Sequence, residues 1–414
     1  MVRLLSILSL VVANSAMADR GSGQRIQLGA EIVVSHSDAE VSWRDGGLGK
    51  LADTDNGLSA YRFYLDYSGR LADTVTAHVV AEAFDDERND SLGLTEAYLQ
   101  WRPVPVNALR AQVRVGMFYP RLSLENGDPG WSSEFLNSFS AINSWVAEEL
   151  RTFGAELDVH RRVSVLGQPF RVGLTGSLFW NNDPAGGLLA WRGWSLHGRQ
   201  SRLGESLALA ELPTLHDEGL FSGQAENLKP FEELDGEAGY TVGVHFRTQR
   251  GLLLQASHYD NRADPLLLEG GQYGWGTRFN QVGLRTRLQG DVTLVSQWMS
   301  GSTQMGPVDH GRHAVDLTFR SHFVLVSRDW GDRRASLRYD DFETVNRDTT
   351  PMDTNSESGN AVAIAYRHRF SDRAEAFAEW LSINARRDAR MYFNEPTRAR
   401  ENRVTLNLRF SFDL

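Results

Sequence analysis

Apolar side chains recur at every second position along most of this chain, in segments of about 10–14 residues, the length that crosses a bilayer at the usual strand tilt. A period of two predicts β-strands with two unlike faces. Sixteen such strands are expected, at 24–36, 57–67, 75–83, 92–102, 109–118, 150–161, 169–181, 238–248, 251–260, 274–287, 291–301, 313–328, 333–343, 359–370, 373–386 and 402–414. The last is the clearest: Val404, Leu406, Leu408, Phe410, Phe412 and Leu414 alternate with Arg403, Thr405, Asn407, Arg409 and Ser411. The joints alternate too. Brief turns such as 249–250 and 371–372 trade places with long connections at 37–56, 119–149, 182–237, 261–273, 302–312, 344–358 and 387–401.

Arginine and carboxylate deep inside strands argue against the dry, two-sided core of a soluble sandwich. No repeat of 20–50 residues suggests a solenoid. An even strand number, short turns at one end and long loops at the other, of which only 86–91 is brief, predict an all-β fold: a 16-stranded antiparallel transmembrane β-barrel whose third connection on the long-loop side, 119–149, folds inward. Parity directs Arg62, Arg110, Arg114, Arg171, Arg247, Arg285, Arg287, Arg320, Arg338, Arg403 and Arg409 into the lumen, together with Asp66, Glu82, Glu96, Glu156, Asp158, Asp316, Asp340, Glu375 and Glu379. His78, His160, His245 and His322 are expected on the same side. In 251–260 and 359–370 both faces are mixed and parity gives no direction.

The first residues change the setting. Arg3, an apolar run from Leu4 to Ala13 and the small-x-small site Ala16-Met17-Ala18 predict a signal peptide over 1–18, leaving 19–414 as the barrel. The run is too short for a membrane-spanning helix. Export through that route and a barrel together imply the outer membrane of a Gram-negative bacterium, with lipid and lipopolysaccharide as surroundings. Without cysteine there are neither disulfides nor thiolate metal sites. The chain holds 43 basic and 53 acidic residues, a balance that argues against nucleic-acid binding.

A barrel of this size is too wide for wall side chains to fill, so something must narrow it. The segment 119–149, from Tyr119 to Glu149, is placed to do so. Pro120 and Pro129 stiffen it, and Trp131, Phe135, Phe139 and Trp145 offer anchors to the wall. The candidate constriction and selectivity residues are its Arg121, Glu125, Asp128, Glu134, Glu148 and Glu149, facing wall arginines Arg62, Arg110, Arg114 and Arg171. Opposed charges across a low-dielectric gap orient polar solutes and exclude apolar ones. A second long loop, 182–237, has no evident period.

RVGMFYPRLSLEN, preceded by EAYLQWRP, resembles the porin family that includes the phosphate-selective outer-membrane porins: Gly116, Phe118, Pro120 and Glu125 match in type a strand that ends in Gly-x-Phe and leads through Pro and Glu into the constriction loop. The motif spans about Glu96 to Leu157, while strand count and loop order extend the likeness over nearly the whole mature chain. The resemblance implies a homotrimer and passive diffusion of small hydrophilic solutes. It departs in one respect. Residues 119–149 contain no lysine, where phosphate-selective members place lysines and an arginine ladder.

Catalytic signals are weak. No H-E-x-x-H pair, G-x-S-x-G elbow or phosphate-cradling glycine loop is present, so neither a metal nor a cofactor is expected. The expected function is a porin. A substrate-specific channel for an anion or organic acid is the first alternative, and a barrel enzyme of lipase or protease type the second.

Overall fold

The computed structural model describes residues 23–52, 56–84, 92–165, 168–216 and 218–414. The expected signal peptide, 1–18, lies outside them, as does the short connection 86–91.

Sixteen strands close into one barrel in which each pairs with its neighbours in sequence and the last returns to the first. They are β1 (Gln24–Ser37), β2 (Gly57–Ala72), β3 (Val75–Phe84), β4 (Leu92–Trp101), β5 (Leu109–Phe118), β6 (Thr152–Val165), β7 (Gln168–Trp180), β8 (Gly239–Thr248), β9 (Leu253–Asp260), β10 (Gly276–Leu288), β11 (Val292–Asp309), β12 (Arg312–Trp330), β13 (Arg333–Asn346), β14 (Glu357–Ser371), β15 (Ala374–Arg387) and β16 (Arg398–Asp413). Every pairing is antiparallel, and closure joins Leu28 on β1 to Phe412 on β16. Full closure removes the unpaired edges that an open sheet would present to lipid.

The outer face is apolar where the pattern requires. Val115, Leu157, Leu174, Val244, Val282, Leu337 and Leu406 all stand exposed on it. Trp101, Trp180, Trp298, Trp330 and Trp380 are partly exposed on the same face, as expected of interfacial aromatics.

Two expectations need correction. The connection 302–312 is not an irregular loop: β11 and β12 run on as a hairpin that turns only at His310-Gly311. Arg320 and His322, expected in the lumen, lie on the outer face of β12, where Val324 and Val326 are exposed beside them. Their neighbours Leu317, Phe319, Phe323 and Leu325 point inward and are almost wholly buried. Parity was assigned on the premise that the apolar face meets lipid. On β12 the apolar face instead meets protein packed inside the barrel.

That packing is extensive. Helix α1 (Ala141–Glu149) in the third loop and helix α2 (Gly187–Trp191) in the fourth are buried along their whole length. Trp145, Trp191, Trp194 and Trp275 join Phe279 and Phe319 in one hydrophobic cluster, which Trp43, Leu48 and Leu51 of the first loop extend. The long-loop half of the barrel therefore holds a dry core. The small Ala361, Ala363 and Ala365, all inward on β14, settle the parity left open in 359–370 and leave room for it.

Candidate functional site

The third loop leaves β5 at Gly116, whose φ is 134°. A Cβ there would stand 2.4 Å from the carbonyl oxygen of Ala97, so the strand end closes on β4 only with glycine at this position. The segment 119–149 then bonds to inward side chains around the barrel. Arg114 on β5 donates to the Tyr119 carbonyl at 3.1 Å, and Gln281 on β10 and Gln297 on β11 both donate to the Leu122 carbonyl. Arg338 on β13 donates to the carbonyls of Ser138 and Phe139, Glu379 on β15 accepts from the backbone of Asn137 and Ser138, and Arg62 on β2 donates to the Gly130 carbonyl. A segment tied to β2, β5, β10, β13 and β15 crosses the interior of a closed barrel.

Sequence reasoning placed ten charged residues at the constriction, and the structure distributes them in three environments. Arg62, Glu125, Glu148 and Glu149 are sealed from water and serve packing. Arg62 pairs with Glu82, and Glu125 bonds Arg338 at 2.8 Å, the Ser140 backbone at 2.9 Å and the Asn143 amide at 2.8 Å. Glu148 and Glu149, expected to face a channel, are turned away from open space and hold the fourth loop. Glu148 binds Arg192 through both guanidinium nitrogens and lies 3.2 Å from His197 Nε2. Glu149 accepts from the backbone N–H groups of Gly186 and Leu188 at the start of α2, and from Trp145 Nε1. Burial drives the Glu148 carboxyl upward, but Arg192 and His197 outweigh it and hold the group at about 2. Burial wins at Glu149 and pushes it up to about 7.

The second environment is the open space toward the short-turn end. A cavity of about 600 Å³ lies beneath the third loop, lined by Asp66, His78, Glu96, Arg114, Arg121 and Asp128 among others. Burial, with Glu134 nearby, raises the Asp128 carboxyl. Arg114 and Arg121 share the Glu156 carboxylate, each at 2.8 Å. Glu134 is clamped between Arg285 and Arg334, which outweigh burial and lower its carboxyl.

The third environment is the bare wall. Arg110 and Arg171 have no ion-pair partner among the described residues. Arg162 and Arg247, absent from the predicted site, share this state, and the register sets Arg162 opposite Arg171 and Arg171 opposite Arg247. Like charges directly opposite one another destabilise a sheet unless something neutralises them. Parity already turned Arg110, Arg171 and Arg247 to the lumen, whereas Arg162 lay past the expected strand 150–161; β6 runs on to Val165 and the register lines the arginines up across strands. The other residues that sequence reasoning did not assign are Arg192 and His197, which follow no period. Asp183, Glu233 and Asp235 also converge, but Asp183 and Glu233 each accept backbone N–H bonds. The Thr175 hydroxyl donates to Asp158 at 2.9 Å.

Closure, strand number and the inward tether define the fold class of Gram-negative outer-membrane porins. No protein-family model matches the sequence, and no curated protein matches it. Among solved structures, the outer-membrane channel DcaP of Acinetobacter baumannii superposes with a TM-score of 0.54 at 11% identity, over 95% of this chain and 99% of that one. The anion-selective porin of Comamonas acidovorans gives 0.53 at 13% identity, over 94% and 100%. A loop-deletion mutant of the outer-membrane protein OmpT of Vibrio cholerae gives 0.52 at 10% identity, over 94% and 100%.

Proposed function

We propose that this protein is an outer-membrane channel for small hydrophilic solutes, passive in operation, with its long-loop half closed by the third and fourth loops. One observation carries the second clause. Every strand contributes an inward side chain that is at most 8% exposed, from Glu31 on β1 through Arg114, Tyr259, Gln281 and Arg338 to Asn407 on β16. The fourth-loop run 182–202 is buried without a break. Water reaches the barrel interior from the short-turn end and stops at this layer, so conduction requires the fourth loop to lift from α1. The homotrimer and the finer likeness to phosphate-selective porins belong to the same proposal and rest on the resemblance at Gly116, Phe118, Pro120 and Glu125, while the lipopolysaccharide surroundings rest on the expected signal peptide and the barrel.

Planar-bilayer conductance of the refolded mature chain tests the reading. The wild type is expected to open rarely, and a variant lacking 183–202 to show stepwise ohmic openings. A shortened barrel that inserts and never conducts refutes the channel; a wild type that is steadily open refutes the closure.

A second reading, preference for anions, is favoured by Arg110, Arg162, Arg171 and Arg247 on β5 to β8, which form no ion pair among the described residues. Reversal potential under a salt gradient distinguishes it, because an anion-preferring lumen and one governed by Asp66, Glu96 and Asp128 give opposite signs.

A further inference from the structure

Asp158 on β6 stands between two histidines. Its Oδ1 lies 3.1 Å from His160 Nδ1 and its Oδ2 lies 2.9 Å from His245 Nε2 on β8. The Thr175 hydroxyl on β7 donates to Oδ2 at 2.9 Å, and Arg121 of the third loop approaches to 3.9 Å. The arrangement spans three strands, and β7 has to make way for it. Gly173 sits in register between His160 and His245, and a Cβ there would come within 2.1 Å of His245 Nε2. Both imidazoles reach water, at 17% and 19% side-chain exposure, so protons have access to them.

Two residues further along the same inward faces, about 7 Å toward the short-turn end, come Arg162 and Arg247, with Arg171 between them in register. Arg110 on β5 stands opposite His160. Arg114 and Arg121 are already engaged by Glu156, and Gln255 on β9, opposite His245, is uncharged. Arg285 on β10, which flanks Arg247 across Leu253, is held by Glu134. With neutral imidazoles, Asp158 is thus the carboxylate beside Arg110, Arg162, Arg171 and Arg247, none of which forms an ion pair among the described residues. Protonating both histidines surrounds that carboxylate with cations and adds two positive charges to the wall.

We propose that Arg162, Arg171 and Arg247 form a binding site for a small oxyanion, and that the His160–Asp158–His245 clamp sets its strength by taking up protons. The proposal rests on the channel reading for its purpose but not for its chemistry. Neutral clamp, weak site; protonated clamp, strong site. A solute anion is held under acid conditions and released where the pH is higher.

Sulfate is the probe, because it stays a dianion over the histidine range and its own protonation contributes nothing. Calorimetry on the refolded barrel in detergent is expected to give an affinity at least about tenfold higher near pH 5 than near pH 8. The double variant H160Q/H245Q should bind at both pH values as the wild type does near pH 8. D158N should bind near pH 8 more tightly than the wild type. R171Q/R247Q should lose binding at both. Retention of the heat-modifiable mobility of a folded barrel shows that each variant has folded. Sulfate affinity that ignores pH in the wild type, or binding that persists in R171Q/R247Q, overturns the proposal. Binding is read without conduction, so a barrel that never conducts leaves this site standing, and a conducting barrel without sulfate binding removes it alone.

Discussion

The Arg338 guanidinium lies 2.8 Å from Glu125 Oε1, with neither side chain reached by water. Arg338 also pairs with Asp340 at 2.7 Å and donates to two third-loop carbonyls. A wall residue thereby fixes the loop that crosses the barrel. Replacing Arg338 by Met leaves two buried carboxylates without their cation, a change that costs about 3–5 kcal/mol. R338M is expected to lower the thermal midpoint of the barrel and expose 119–149 to protease, read by digestion and mass spectrometry. A third loop as protected as in the wild type contradicts the role given to this pair.

Glu148 and Glu149 predict opposite responses to pH in the seating of the fourth loop. Glu149 has a folded-state value of about 7 against an ordinary 4.5, so its contribution is present at low pH and lost as pH rises through about 7. Glu148, held at about 2, contributes above its ordinary 4.5 and loses that contribution as pH falls toward about 2. Protease cleavage within 182–202 should therefore increase from about pH 5 to about pH 8 in the wild type. E149Q should remove that increase, and E148Q should leave the loop open to cleavage at both. Equal cleavage in all three chains contradicts the hold of Glu148 and Glu149 on the fourth loop.

Trp145 carries much of the dry core. It lies edge-on to Trp194, Phe279 and Phe319, with ring centroids 5.2–6.0 Å apart. Trp145→Ala is expected to cost about 3–5 kcal/mol through the cavity it leaves. It also removes the hydrogen bond to Glu149, so openings in a planar bilayer should become more frequent. A lower thermal midpoint with unchanged gating separates packing from closure.

Charge reversal at Arg171 tests the bare wall. R171E places a carboxylate opposite Arg162 and Arg247 and cancels their field. In the variant lacking 183–202, the reversal potential should move toward cation preference, while Arg320→Glu, on the outer face, should leave it unchanged. A shift of equal size from both refutes the assignment of faces.

Much of this fold was legible in the sequence. Sixteen alternating segments, the order of short and long joints and the inward parity of Arg62, Arg114, Arg338 and Glu379 follow from a period of two, a local property of the backbone. Gly116 and Glu125 marked where the third loop begins. Period cannot say what lies against a face. Leu317, Phe319 and Phe323 read as a lipid-facing stripe and are the floor of a dry core, which put Arg320 and His322 on the wrong side. Nor does any period connect Glu149 to Gly186, or Asp158 to His245 across Gly173. Those contacts arise because closing a barrel brings distant strands around one interior, and an aperiodic loop fills it by packing and hydrogen bonding that no local pattern records. The sequence determined the wall; the tertiary structure decided what stands inside it.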